Sequence, residues 1–323
     1  MWKGTLKNSY YLKTTFTINY DEKYLISIIG PTAIGKTALS IKLAQHFNTE
    51  IISADSRQFY KEMHIGTAAP TSDELNAAKH HFIHHKSIHD NYNVGTFEKD
   101  ALNCLKTLFK EHNIVIMVGG SGLYVDAVTK GLDHFPEVDD SIREALNADL
   151  KNKGLPYLQE KLKTLDHIAN NTIAIDNPHR VIRALEVCIG SGQPYSSFLN
   201  KGKEHRDFKT LSIGLSAERP IIYNRIEKRV DIMMEQGLLE EAKALFEYKD
   251  MNALNTVGYK ELFKYFEGEW TLDFAISEIK KNTRRFAKRQ LTWFRKQEGT
   301  LWFDYLNDAT DIIETINEKI SAD

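Results

Sequence analysis

Among its 323 residues the chain has only two cysteines, Cys104 and Cys188, far apart and without the paired spacing or neighbouring histidines of a zinc site. That excludes a disulfide-stapled scaffold and points to two buried thiols in a reduced compartment. Also missing is any apolar run near the ~20 residues that a bilayer-crossing helix needs. The first 22 residues are polar and rich in Thr and Tyr, without the cationic start and apolar block of a secretory signal. These absences predict a cytoplasmic protein with no membrane partner. Charge of one sign is lacking too: 42 basic against 44 acidic residues leave a net charge of −2. A polycationic nucleic-acid binder is thereby excluded, whereas a local basic face is not. What is present is apolar character, 42% over the whole length. This suffices for a large core, in one domain with an insertion or in two domains.

The first stretch with chemistry in it runs from Leu25 to Ile41. A short apolar run predicts a buried strand; it feeds the turn Gly30-Pro31-Thr32-Ala33-Ile34-Gly35-Lys36-Thr37, and a helix ending near Phe47 follows. Gly30 and Gly35 let the chain curl with its N–H groups pointing inward, since no Cβ blocks the bend or the approach of an anion. The helix adds its positive end. Lys36 supplies a point charge for outer phosphate oxygens, and the Thr37 hydroxyl stands where a magnesium ion bridging them needs a ligand. Such a loop reports a diphosphate or triphosphate ligand and does not say which bond is broken.

A second short strand, Glu50 to Ala54, ends in Asp55-Ser56-Arg57-Gln58. Ligands gather at the carboxyl ends of parallel strands, so Asp55 is expected beside the phosphate loop. There it can hold a metal-bound water, accept a proton from a substrate, or cap the following turn. In His80-His81-Phe82-Ile83-His84-His85 a helical spacing would pair histidines for metal, but the Phe-Ile centre reads better as a buried strand with polar flanks. Helical spacing over Phe97–Lys110 leads to a third strand, Ile114–Val118, and then to Gly119-Gly120-Ser121-Gly122. Ser121 is the donor to expect at that strand end, unless the segment is a plain turn before a helix.

From about Asp133 to His205 the pattern turns to polar, charged helices broken by Gly154, Pro156, Pro178 and Pro194. An all-helical insertion fits, with Arg143, Arg180 and Arg183 available to clamp a substrate. The expected organisation is an N-terminal extension (1–23, with Tyr11–Thr17 as an edge strand or loose segment), a first core part (24–132), the insertion (133–205), and a second core part (206–323). A strand at Leu211–Leu215, another at Thr300–Phe303 and a closing amphipathic helix complete the reading. Between Lys280 and Lys296 the chain is both basic and aromatic. As a helix it puts Arg284, Lys288 and Arg295 on one side and Phe286 and Trp293 on another. Either the aromatics pack on the core under a solvated cationic face, or the segment meets an RNA backbone.

Taken in order, these blocks resemble the tRNA dimethylallyltransferase (tRNA isopentenyltransferase) family. The matching segments are the phosphate loop at 30–37, Ile-Ser-Ala-Asp-Ser-Arg-Gln at 52–58, Val-Gly-Gly-Ser-Gly-Leu-Tyr at 118–124, Asn-Pro-His-Arg-Val-Ile-Arg-Ala-Leu-Glu-Val at 177–187, and Val-Gly-Tyr-Lys at 257–260 with Ala-Lys-Arg-Gln-Leu-Thr-Trp-Phe at 287–294. The resemblance implies a P-loop NTPase-like α/β fold, a parallel sheet flanked by helices and carrying the all-helical insertion. It implies transfer of a dimethylallyl group from its diphosphate to N6 of adenosine 37 in the tRNA anticodon stem-loop, with Mg2+, by a protein expected to be a monomer. The loop Gly30–Thr37 would hold the donor's diphosphate rather than ATP. Asp55 would be the base, with Ser56, Arg57 and Gln58 extending the tRNA contact, and Ser121 would serve diphosphate and substrate. Arg143 and His179, Arg180, Val181, Ile182 and Arg183 would touch tRNA. Three residues depart from the family pattern: Ser121 replaces a threonine, Ala69 a lysine, and Ile34 a smaller residue. No zinc finger follows the basic helix, and the resemblance is to bacterial-type members.

The residues suggest a matching chemistry. Allylic diphosphates ionise readily, so neutralising the departing diphosphate is the main task, for Lys36, loop N–H groups, magnesium and Arg225 or Arg229. Asp55 would take the amine proton as the C–N bond forms. Competing expectations are a free AMP acceptor, a small-molecule kinase, for which the loop and Asp55 would suffice, and a non-enzymatic RNA-binding module.

Overall fold

The computed structural model describes residues 22–201 and 205–322; the segment Tyr11–Thr17 lies outside the described residues. The strands are β1 (Tyr24–Ile29), β2 (Ile51–Ser53), β3 (His80–His81), β4 (Ile114–Val118), β5 (Lys209–Ser216) and β6 (Leu301–Asp304). They form one sheet in the order β3-β2-β4-β1-β5-β6, every pairing parallel. Every residue of β1 and of β4 is buried, which is why both read as unbroken apolar runs: a parallel sheet is covered on both faces. Alternation within the run then serves two cores. Ile26 and Ile28 of β1 join Ile116 and Ile213 on one face, while Leu25 and Ile29 join Val115 and Met117 on the other. Each fully buried isoleucine contributes on the order of 2 kcal/mol.

The helices of the first half of the chain are α1 (Lys36–Phe47), α2 (Ser72–Ala77), α3 (Val94–Leu108) and α4 (Gly122–Lys130). Leu39 and Leu43 of α1 pack on the first face; Phe97 and Leu105 of α3 with Val125 and Val128 of α4 pack on the second. Next come α5 (Asp140–Lys153), α6 (Leu155–Leu165), α7 (His167–Thr172) and α8 (Pro178–Ser191), which enclose a core of their own built from Leu146, Leu158, Leu162, Val181 and Leu185. Their boundaries are legible as caps: Asp139 and Asn177 accept N–H bonds at the starts of α5 and α8, and Pro178 occupies the first turn of α8. After β5 the chain forms α9 (Arg219–Glu235), α10 (Leu238–Ala244), α11 (Tyr259–Phe266) and α12 (Leu272–Phe294), and α13 (Ala309–Ala322) follows β6. Helices α9 to α12 gather a further apolar cluster with Tyr60, Met63 and Ile88 from the first half of the chain.

The histidine-rich segment departs from the strand expected of it. Only His80 and His81 pair with β2, and Phe82 and His84 then take left-handed φ angles of 65° and 48°. The chain turns because Phe82 packs against the rings of His85 and Phe97, at centroid distances of 5.2 and 5.4 Å. Among the described residues no group of three or more His, Cys, Asp or Glu could hold a metal ion. Helix α3 starts earlier than its apolar spacing suggests, because Asn93 accepts N–H bonds from Gly95 and Thr96 at 3.0 Å. Of the two thiols, Cys188 is buried but Cys104 is only partly so. Among the described residues no helix is long and apolar enough to cross a membrane.

Candidate active site

β1 sits where the strand order reverses, with β4 on one side and β5 on the other, so a crevice opens beyond its carboxyl end. The phosphate loop fills that position. Gly30 leaves β1 with φ 143°, and a Cβ there would stand 2.5 Å from the Leu215 carbonyl oxygen, so only glycine fits. Gly35, at φ 109°, is the N-cap of α1 and brings no capping side chain, which leaves the first N–H groups of the helix to a ligand. Between them Ala33 adopts φ 63°, and Ile34, 2% exposed, anchors the loop in the sheet core. The larger residue at position 34 thus fills core space beneath the cradle.

Three cations surround this turn. Lys36 Nζ donates to the Pro31 carbonyl at 2.8 Å. Burial pushes its pKa down to about 8, against the attraction of Asp55 and reinforced by Arg229. From α9, Arg225 Nε donates to the Ala33 carbonyl at 2.7 Å and Arg229 Nη1 to Thr32 Oγ1 at 3.2 Å; burial also pulls Arg229 below the usual guanidinium value. Loop and arginines line a cavity of about 440 Å³. A second cavity, of about 760 Å³, adjoins it; Thr32, Asp55, Gly120, Arg229 and Gln290 are among the residues lining both.

Asp55 is therefore at the junction. Its Oδ1 accepts the Arg57 N–H at 3.1 Å, so the turn-capping role is real, but it uses one oxygen only. Oδ2 has no protein hydrogen-bond partner among the described residues and is 3.6 Å from where a Cβ on Gly120 would be. Ser121 follows β4 and its Oγ accepts the Ser56 N–H at 3.1 Å, with the Ser56 hydroxyl 3.0 Å away. It lines the larger cavity and not the phosphate cradle. Ser56 holds this hydroxyl on the side of the larger cavity.

Several other expected contact residues have partners within the chain. Arg57 donates to the carbonyls of Asn252 and Ala253, both at 2.8 Å, and Gln58 to those of Thr67 and Ala68; both build the walls of the site. Val181 and Ile182, 0% and 3% exposed, belong to the insertion's core, so their side chains present no surface to a tRNA, whereas His179 and Arg180 are exposed. Arg143 and Arg183 converge on buried Glu186, at 2.6 and 3.3 Å. Among the described residues, none of the insertion lines either cavity.

Four features add to the sequence reading or decide between its alternatives. Glu241 accepts the N–H groups of His64, Ile65 and Gly66, at 2.8 to 2.9 Å, and the Tyr259 hydroxyl at 2.7 Å, fixing one wall. Gln290 links Thr32 to Gly120. It interrupts an otherwise apolar buried stripe of α12, Ala287-Gln290-Phe294, and that break in the periodicity is the available signal. Phe286 and Trp293, 38% and 39% exposed, line the larger cavity instead of packing on the core. Trp293 is steered there by a 2.8 Å bond from Nε1 to Asp126 and passes close to Gly122, where any Cβ would lie 2.4 Å from the indole. Finally, the basic run is partly neutralised: Arg284 pairs with Glu227 and Lys280 with Asp231, both at 2.6 Å.

A parallel sheet that ends in an anion cradle, opening past one carboxylate into a roomier second chamber, places the chain among the phosphate-loop enzymes of the α/β class. The particular family follows from comparison with known proteins. The model of the IPP transferase family matches residues 58–297, and the chain belongs to that family. It is similar to the tRNA dimethylallyltransferase of Christiangramia forsetii, 61% identical over 93% of this chain and 99% of the relative. The enzyme of the same name from Flavobacterium johnsoniae is 58% identical over 93% and 99%. Among solved structures, the full-length tRNA isopentenylpyrophosphate transferase of Bacillus halodurans superposes with TM-score 0.70 at 38% identity, covering 93% of this chain and 97% of that one. A eukaryotic dimethylallyltransferase captured acting on tRNA gives TM-score 0.78 at 28% identity, covering 93% and 80%.

Proposed function

We propose that this chain transfers the dimethylallyl group of dimethylallyl diphosphate to N6 of adenosine 37 in the anticodon loop of tRNA, releasing diphosphate. The observation that carries this is the junction at Asp55: a cationic cradle for the donor's diphosphate on one side, and on the other a chamber of about 760 Å³, large enough for an extruded purine. The C1–O bond of the donor breaks as C1 becomes cationic, and Lys36, Arg225, Arg229 and the loop N–H groups hold the charge left on the diphosphate. N6 closes on C1, and its proton passes to the Asp55 carboxylate, whose Oδ2 is uncommitted. A loop adenine can be splayed out at modest cost, which a base in a paired stem cannot, and Phe286 and Trp293 offer flat apolar faces at the chamber wall.

The residues present fit a magnesium ion carried in on phosphate oxygens. Thr37 lines the cradle, and the described residues offer no cluster of carboxylates, histidines or thiols that would cage a metal unaided. The Thr37 hydroxyl would be its protein ligand, and bound there it supplies further charge neutralisation of the diphosphate. The cytoplasm, where tRNA is found, suits this activity.

The test is incubation of purified protein with labelled dimethylallyl diphosphate and tRNA, tRNA with another base at position 37, AMP, or no acceptor. Label in tRNA that depends on adenine at 37 is expected. Label in AMP, or ATP turnover without the prenyl donor, would replace this reading by an AMP prenyltransferase or a kinase.

A further inference from the structure

Gln290 makes contacts that connect the two halves of the site. Its Oε1 accepts the Thr32 N–H of the phosphate loop at 2.8 Å, and its Nε2 donates to the Gly120 carbonyl at 2.9 Å. The side chain is 6% exposed and lines both cavities. With acceptor and donor both engaged, the amide has one orientation, and reversing it would set like groups against each other at both ends. Its helix is immobilised on either side by buried Ala287 and Phe294 and by the bond from Trp293 to Asp126. The Gly120 turn in turn abuts Asp55, a Cβ on Gly120 falling 3.6 Å from Oδ2. A rigid amide thus spans from the donor's cradle to the backbone beside the base, over a sequence separation of 258 residues on one side and 170 on the other.

We infer that Gln290 is a positioning residue that sets the separation between donor and acceptor, and so determines whether the allylic carbon is captured by the acceptor nitrogen or by water. The inference rests on the prenyl-transfer reading above. Once the C1–O bond breaks, the electron pair stays with the diphosphate and C1 needs a nucleophile. If N6 is in reach, the C1–N6 bond forms and the proton goes to Asp55. If it is not, a water oxygen bonds to C1, the proton is lost to solvent, and the products are dimethylallyl alcohol and diphosphate.

Two substitutions test this. Gln290→Met keeps the side chain's length and removes both polar contacts. Gly120→Ala leaves Gln290 intact but places a Cβ 2.5 Å from its Nε2, displacing the amide at the flexible end of a side chain. For each variant, prenylated tRNA and labelled dimethylallyl alcohol are quantified from the same reaction, with donor KM and thermal midpoint alongside. The expected result is a loss of about 10²-fold in kcat for tRNA prenylation, as a displaced reacting pair gives. Donor KM should stay within about threefold, and the ratio of alcohol to prenylated tRNA should rise at least about tenfold. An unchanged ratio, or a loss carried wholly by donor KM, would reduce Gln290 to a scaffold residue and overturn the inference, as would a Gly120→Ala enzyme of normal kcat and ratio should Gln290→Met not fold. Wild-type protein that prenylates no tRNA would instead remove the reading beneath it, so the two failures are distinguishable.

Discussion

Replacing Lys36 by methionine should stabilise the free protein at neutral pH while disabling its donor cradle, and the size of the effect can be worked from the site. Burial lowers the lysine pKa from 10.5 to about 8. Each tenfold change in a protonation equilibrium is about 1.4 kcal/mol, so holding the charged amine in the loop costs about 3 kcal/mol. Below pH 8 folded and unfolded chains both carry the proton and the whole cost is present. Between about 8 and 10.5 the unfolded chain binds more protons than the folded one, so wild-type stability rises with pH; above 10.5 nothing further is gained. Methionine keeps the aliphatic stem and forfeits the bond to the Pro31 carbonyl, a loss of about 1 kcal/mol. At pH 7 the variant should therefore be the more stable by about 2 kcal/mol, and between pH 7 and 10 that advantage should shrink by about 2 to 3 kcal/mol until wild type equals or overtakes it. Urea denaturation of both proteins at each pH, followed at a probe in the sheet core, measures this directly. Stability curves that run parallel from pH 7 to 10 would refute the assignment of a strained, desolvated cation to the loop. Inorganic diphosphate should protect wild type against urea and leave the variant unprotected.

Asp55→Asn preserves the oxygen that accepts the Arg57 N–H and removes only the ability to take a proton; tRNA binding should persist in a filter assay while single-turnover prenylation falls by about 10² to 10⁴, and an unimpaired rate would take Asp55 out of the role of base. Glu241→Gln sets an NH2 group against N–H donors now satisfied by one carboxylate, so a loss of about 2 to 3 kcal/mol in chemical denaturation is expected, and a loss below about 1 kcal/mol would show that the 64–66 loop does not depend on it. Glu186→Gln loosens Arg143 and Arg183 together; KM for tRNA should change by about threefold or more with donor KM constant, and a change confined to donor KM would dissociate those arginines from RNA.

The elements that sequence alone disclosed are those whose physics is local. Two-faced burial makes β1 and β4 continuous apolar runs, and glycine marks the turn at 30 and 35. What escaped depends on partners remote along the chain. Nothing near Arg57 in sequence announces that it donates to the carbonyls of Asn252 and Ala253. Nothing within the acidic run around Glu241 reveals that one of its carboxylates collects three N–H groups from residues 64 to 66. Val181 and Ile182 stand in a segment whose resemblance suggested RNA contact, yet helical periodicity turns both inward. The aromatics of α12 were open to two readings, and only the position of Asp126 decides that Trp293 lines the chamber.

The amide bridge between Gln290 and Thr32 has a consequence for the order of synthesis. A ribosome emits the loop 258 residues before the side chain that braces it, and Arg225 and Arg229 of α9 also emerge long after the turn they flank. A truncated or half-made polypeptide can thus display the glycine signature and still lack a competent reaction chamber. Reactive allyl cations should be generated only by the finished protein.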